Sequence, residues 1–266
     1  MSVRHFTPRN RRRGLSQRAR YALGGSLALT ILLQMSYPLV NGDVLDFITI
    51  SSVFMGATAM ALHAYLTYGV KYVTRYLIIS LLFGYFIELL GTHTGWPFGV
   101  YSYDDSLGVS LFEVPLVVPF AWAMMVHPCL VAARLVTKKW TFLYGGALLA
   151  AWDLYLDPQM VEAGRWTWVF DGPHVPFSPA IPLSNLFGWL LSGFFIIALL
   201  NLVLPFERRK ESANLTAVTV LLGWVLFSGF VGNLFFFDRP GLAFFASAVY
   251  GVLVAPFIYK STLGES

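Results

Sequence analysis

Apolar residues in this chain come in long runs, without the short polar alternation of half-buried strands. Eight stretches, about 21–40, 44–66, 72–90, 114–133, 140–157, 186–204, 214–236 and 241–259, approach or exceed the roughly 20 residues a helix needs to cross a bilayer core. Short polar or Gly/Pro-containing turns separate most of them, but two connections, 91–113 and 158–185, are longer. The pattern predicts an all-α fold, a polytopic transmembrane helical bundle of about eight spans. Residues 21–260 form one domain, between a basic segment at 1–20 and a short tail at 261–266. No internal repeat or low-complexity tract divides it.

Composition sharpens this picture. The chain is 57% apolar and 12% charged, with a mean hydropathy of +0.65. A soluble domain averages about 25% charged residues. Half that charge cannot cover a soluble protein of this size, which excludes a soluble globular enzyme, a disordered chain and a disulfide scaffold. The one cysteine, Cys129, has no partner within the chain.

The placement of charge orients the bundle. Sixteen Lys and Arg residues fall on one side of the predicted spans, and only Arg165 and Arg239 on the other. By the positive-inside rule, both termini are cytoplasmic and the two long connections are external. The Arg-rich start is then a topology signal against anionic headgroups, not a nucleic-acid-binding arm. The apolar run behind it is too long for a signal peptide and lacks a small-x-small cleavage site, so it is read as a retained helix.

Two carboxylates interrupt the spans, Glu88 in the third and Asp153 in the fifth. An ionisable group in the bilayer costs roughly 2.5–3.5 kcal/mol on insertion scales, so it faces protein or water. Helical spacing puts Gly84, Glu88 and Gly91 on one face, and Gly146, Ala150, Asp153 and Asp157 on another. Small residues on these faces allow close helix packing, which turns the acids inward. Each acid leads into a long external segment rich in aromatic residues: Tyr101, Tyr103 and Asp104 in the first, Trp166, Trp168, Asn185 and Trp189 in or just beyond the second. The two segments are expected to form two lids over one intramembrane cavity. Trp140 and Trp224 are assigned to the interfacial belt instead. His63 and His127 are read as hydrogen-bonded core residues, and His93 as the site candidate. No HExxH or Cys/His set at metal-ligand spacing occurs, so no metal site is expected. The absence of a P-loop, a GxGxxG fingerprint and a GxSxG elbow argues against nucleotide cofactors and serine hydrolysis.

In this setting the string Glu88-x-x-Gly-x-x-Thr-Gly-x-Pro-Phe-Gly-x-Tyr-x-Tyr103 resembles a signature of membrane-embedded carotenoid 1,2-hydratases. The bisanhydrobacterioruberin hydratase-like proteins belong with these. Val114-Pro, Val118-Pro-Phe-Ala-Trp122, Trp152-Asp-Leu-x-Leu-Asp-Pro-x-Met160, Trp166-x-Trp168 and Ile181-Pro-x-Ser-Asn-x-x-Gly-Trp189 continue the resemblance in order, over about 88–190. It departs at Ala180, where a glycine is expected, and in the Pro-rich stretch 173–179.

The resemblance implies addition of water to the terminal C1=C2 bond of an acyclic carotenoid end group, on lycopene, γ-carotene or a C50 relative. The enzyme would be a cofactor-independent hydro-lyase in a bacterial or archaeal plasma membrane. Its partners would be the carotenoid, membrane lipids and other pathway enzymes, such as a glycosyltransferase that decorates the tertiary alcohol. Hydration requires a proton at C2, a tertiary cation at C1 and a water molecule, with no change in oxidation state. A carboxylic acid kept neutral by burial suits the first step. Asp153, deepest in its span, is assigned as general acid; Glu88 is its rival, and Glu88 or Asp157 orients the water. Tyr101, Tyr103, Trp152 and Trp166 are placed as cation stabilisers. Asn185 and His93 would hold the water, with Asp104, Trp168 and Trp189 completing the wall.

Rival readings exist. Asp153-Leu-Tyr-Leu-Asp157 resembles half the equipment of an intramembrane prenyltransferase, which would need Mg²⁺ and basic residues for a diphosphate. A proton-coupled transporter would use the buried acids as a relay, but calls for pseudo-symmetric halves that are not evident. A lipid-binding scaffold would tolerate neutral replacement of both acids.

Overall fold

The computed structural model describes residues 17–206 and 215–263. The basic positions Arg4 to Arg13 and Arg208 to Lys210, with the last three residues of the tail, lie outside them. Among the described residues the apolar runs form eight long helices. In order these are α1 (Gln17–Ser36), α2 (Gly42–Tyr68), α3 (Val70–Thr94), α4 (Val117–Val136), α5 (Thr141–Glu162), α6 (Leu183–Val203), α7 (Thr216–Val231) and α8 (Pro240–Leu263). Seven, counting α7 with the π turn Gly232–Phe236 that extends it, are long and apolar enough to cross a membrane. The eighth, α5, is of similar length but carries Asp153, Asp157 and Glu162. The protein is a polytopic helical membrane protein.

α4 is the axis of the bundle: 78% of its most apolar stretch is buried, against 17–39% in the other apolar helices. It packs against α2, α3, α5, α6, α7 and α8. The tightest pairing is between α5 and α6. A methyl group added at Gly146 would lie 2.6 Å from the Phe194 backbone nitrogen, so only glycine permits the approach. α5 runs through Pro158 to Glu162, past the end expected at 157. Pro158 removes one ladder hydrogen bond, but burial of Pro158 and Met160 against the bundle offsets the loss. His63 Nδ1 lies 2.9 Å from His127 Nε2, and the Tyr72 hydroxyl 3.2 Å from His127 Nδ1, so both histidines are core residues in a buried polar network.

The two long connections are not plain loops. The first holds β1 (Val100–Tyr103), β2 (Ser110–Leu111) and β3 (Val114–Pro115); the second holds β4 (Trp166–Val169), β5 (His174–Val175) and β6 (Ser178–Pro182). β2–β3 and β5–β6 are local antiparallel pairs. β1 and β4 pair with each other, setting Tyr101 opposite Trp168 and Tyr103 opposite Trp166. Period-two alternation then sends both tyrosines to the same face of the ribbon. The expected pair of lids is therefore one lid joined by a two-stranded ribbon. Arg165, just before β4, is buried and forms a 2.6 Å ion pair with Asp46 on α2, which anchors the ribbon to the bundle.

Candidate active site

Under the ribbon lies a cavity rich in aromatic side chains, lined from α2, α3, the first long connection, the ribbon, α4, α5 and α6. Glu88 enters from α3, one turn below Gly91. A methyl group at Gly91 would lie 2.6 Å from the Tyr101 hydroxyl, so the glycine makes room for that ring beside the acid. Glu88 is buried, yet three donors converge on it. The hydroxyls of Tyr101 and Tyr103 donate to Oε2 at 2.5 and 2.7 Å, and the Trp122 indole N–H donates to Oε1 at 2.9 Å. An ionised carboxylate accepts at both oxygens and donates at neither, so this cradle suits the anion. The two phenols lie outside the spans and titrate well above an ordinary tyrosine. Burial is the main cause, and the Glu88 charge adds to it.

The second acidic centre lies across the cavity. Asp153 and Asp157 are one turn apart on α5, and the Asn185 side-chain amide of α6 bridges them. It donates to Asp153 Oδ2 at 3.2 Å and, at shorter range, to Asp157 Oδ2. Trp166 of the ribbon donates its indole N–H to Asp157 Oδ1 at 3.2 Å. Asp157 and Asn185 line the cavity. Asp153 is buried behind them, and its Oδ1 has no hydrogen-bond partner. Depth along the sequence had favoured Asp153 as the group facing substrate; the geometry gives the cavity wall to Asp157. Both carboxyls turn inward because that face of α5 packs on α6, where Gly146 and Gly193 meet.

Most of the sequence-derived aromatic set converges here. Tyr101, Tyr103, Trp152, Trp166, Trp168 and Trp189 all line the cavity. Two expected members do not. His93 lies on the exposed side of α3, bonded at 3.0 Å to the Leu89 carbonyl and at 3.2 Å to Thr92, because it is five residues beyond Glu88 and off its face. Asp104 is exposed and caps the short turn after β1, where the Ser106 N–H donates to it at 2.9 Å; the Ser106 hydroxyl and then this N–H hold its carboxyl below the usual range. Trp224, assigned to the interfacial belt, is half-buried and donates to Gln34 on α1. Sequence reasoning overlooked the role of Trp122, which both holds Glu88 and stacks on Trp189. It also missed Phe98, Thr49 and Val53 on the wall. An indole and a carboxyl on different helices leave no spacing signal; only the motif string contained Trp122.

Comparison with known proteins identifies the family. No solved structure matches the chain. A bisanhydrobacterioruberin hydratase from Haloarcula japonica is 32% identical over 132 residues, a stretch that covers 47% of this chain and 43% of that relative. The chain thus spans less than half the length of the curated relative it matches. The family model described as carotenoid biosynthesis protein matches residues 48–255, which takes in the whole acid-lined cavity and most of the helices around it. The chain belongs to the carotenoid biosynthesis protein family.

Proposed function

We propose that this protein is a carotenoid hydratase, adding water across the terminal C1=C2 bond of an acyclic carotenoid end group. The observation that carries this reading is one aromatic cavity with a carboxyl centre on each side: Glu88 in a cradle of donors, and Asp157 backed by Asp153. The name of the Haloarcula japonica relative supports it. Two carboxyl groups sharing one site cannot both ionise cheaply, so the aspartate pair retains a proton. Asp157, which faces the cavity, delivers that proton to C2. The C1 cation that results lies among the faces of Trp122, Trp152, Trp166 and Trp189, where a desolvated cation–π contact gives about 2 kcal/mol or more. Water adds to C1, and its proton passes to the Glu88 carboxylate. Oε1 of Glu88 accepts only the Trp122 N–H, which leaves a lone pair for that water. Return of that proton from Glu88 to the aspartate pair, through water, restores the starting state; the net reaction consumes one water, and no electrons are exchanged.

The substrate accounts for the setting. A polyene is insoluble in water and reaches the site from the bilayer, while water arrives through the ribbon end. We place the protein in the plasma membrane with that end facing outward, in keeping with the distribution of Lys and Arg.

The test is expression in a lycopene-accumulating bacterium, with pigments analysed by mass spectrometry. A new pigment heavier by one water, absent with Asp157→Asn or Glu88→Gln, is the expected result. Unchanged lycopene, γ-carotene and C50 precursor in cells that hold the folded protein would overturn the reading.

A further inference from the structure

A second space, larger than the acid-lined cavity, lies beside it. Its walls come chiefly from α1, α2, α5, α7 and the π turn after α7. Six side chains line both spaces: Thr49 and Val53 on α2, Ala121 on α4, and Trp152, Leu156 and Met160 on α5. On α2 and on α5 these residues recur every fourth position, so each set forms one row along its helix. The boundary is thus a seam of side chains shared by the two spaces.

The second space has an open flank. Met35 on α1, Phe227 on α7 and Phe236 on the π turn line it and are each more than half exposed. It therefore opens sideways between α1 and α7, where lipid tails surround the bundle. The Trp224 indole donates to Gln34 at 2.6 Å and ties the two helices along that flank. The π turn, a distortion frequent at functional sites, brings Gly232, Asn233 and Phe236 to the wall. Asn233 Oδ1 and the Tyr37 hydroxyl also belong to this wall and are buried; Asn233 Oδ1 has no hydrogen-bond partner, and the Tyr37 hydroxyl has Gln159 beside it. An unmatched polar atom in a largely apolar chamber is stabilised by a ligand that brings a hydroxyl group.

We propose that this chamber binds the body of a long acyclic isoprenoid, which enters from the bilayer between α1 and α7, and that Tyr37 and Asn233 hold a hydroxyl group on that chain. The inference rests on the hydratase reading and extends it from the reacting end to the rest of the molecule. The substrate class narrows from a hydrocarbon to a polyene alcohol.

The experiment titrates the purified full chain in lipid nanodiscs with lycopene and with a monohydroxylated polyene of the same length. Binding is read as quenching of tryptophan fluorescence, since Trp152 and Trp224 both line the chamber. Both pigments should quench, the alcohol at roughly tenfold lower concentration. Ser228→Phe and Val225→Phe each fill the chamber and should weaken both pigments tenfold or more; thermal unfolding checks that these variants are folded. Tyr37→Phe should erase the alcohol's advantage. Undiminished binding in both filled variants would overturn the chamber assignment. Equal affinity of the unaltered protein for the two pigments would overturn the hydroxyl site, as would an advantage that survives both Tyr37→Phe and Asn233→Ala. The readout needs no turnover. Chamber-sensitive binding without hydrated product would sink the hydratase reading alone, and hydrated product with insensitive binding would sink this inference alone.

Discussion

Trp122 and Trp189 lie face to face, with ring centroids 4.4 Å apart and planes within 9°, and the same Trp122 donates its indole N–H to Glu88. One side chain thus forms a wall of the cavity and fixes the carboxyl beside it. Trp122→Phe keeps a ring for the stack and removes the donor. A hydrogen bond to a charged group contributes about 1.5–3 kcal/mol. Hydration by the variant should therefore fall roughly 10- to 100-fold, as measured by pigment conversion in cells with matched protein levels. Full activity would show that the cradle does not tune Glu88.

The aspartate pair predicts unequal effects. General acid catalysis typically contributes 10²–10⁴-fold, so Asp157→Asn should lose about that much. Asp153→Asn, one layer back, should lose less and still release some hydrated pigment. The reverse order, read from the two variants side by side, would return the donor role to Asp153.

Arg165 and Asp46 predict how the ribbon is held. Removing one partner of a buried ion pair leaves an unmatched charge and costs about 3–5 kcal/mol, with the lower end apt here because Asp46 is 28% exposed. Asp46→Asn should speed hydrogen exchange across residues 100–103 and 166–169. Combining Asp46→Leu with Arg165→Met should restore much of the protection, since no unpaired charge then remains.

The approach of α5 and α6 predicts a packing defect. A methyl at Gly146 meets backbone atoms of Gly193 and Phe194, which cannot move aside as a flexible side chain can. Gly146→Ala should destabilise the protein by about 1–3 kcal/mol, an overpacking cost. The melting temperature in detergent should fall. Ala substitution at Gly251, which has open space around it, should leave it within a degree or two, roughly the effect of a neutral surface change.

Tyr101 and Tyr103 predict an alkaline limit. Their hydroxyls stay protonated in the fold above the ordinary phenol range of about 10, because of burial and then the Glu88 charge. The unfolded chain gives up these protons first, so their contribution is complete below that range and is lost as pH rises through it. Thermal stability should decline from about pH 10 upward. The decline should be shallower in Tyr101→Phe than in the unaltered protein, once the lower starting stability of the variant is subtracted.

The helices were legible in the sequence because lipid demands length and apolarity, and both are local properties. Even the inward faces of α3 and α5 followed from glycine and acid spacing. The π turn after α7 left no such mark, so Asn233 and the chamber beside it were invisible. The pairing of β1 with β4 was equally hidden, because it joins segments separated by two helices. His93 and Asp104 were misplaced for a common reason: proximity to Glu88 and Tyr103 in the chain was taken for proximity in space. The bond from Trp224 to Gln34 was also hidden, because a tryptophan on a lipid-facing helix carries no sequence sign of the glutamine it meets.

The β1–β4 ribbon also constrains how the protein is made. Glu88 emerges on α3 early in synthesis, but β4 and the Trp166 indole arrive only after α4 and α5 have been added, and Asn185 and Trp189 later still. During that interval Glu88 already has Tyr101, Tyr103 and Trp122 behind it in the chain, whereas Asp153 and Asp157 on α5 still lack Trp166 and Asn185. Asp46 likewise waits on α2 for Arg165. The second chamber is completed later still, by α7 and the π turn after it. A chain halted before β4 would hold Asp153 and Asp157 without the Trp166 and Asn185 donors that bond them in the complete fold.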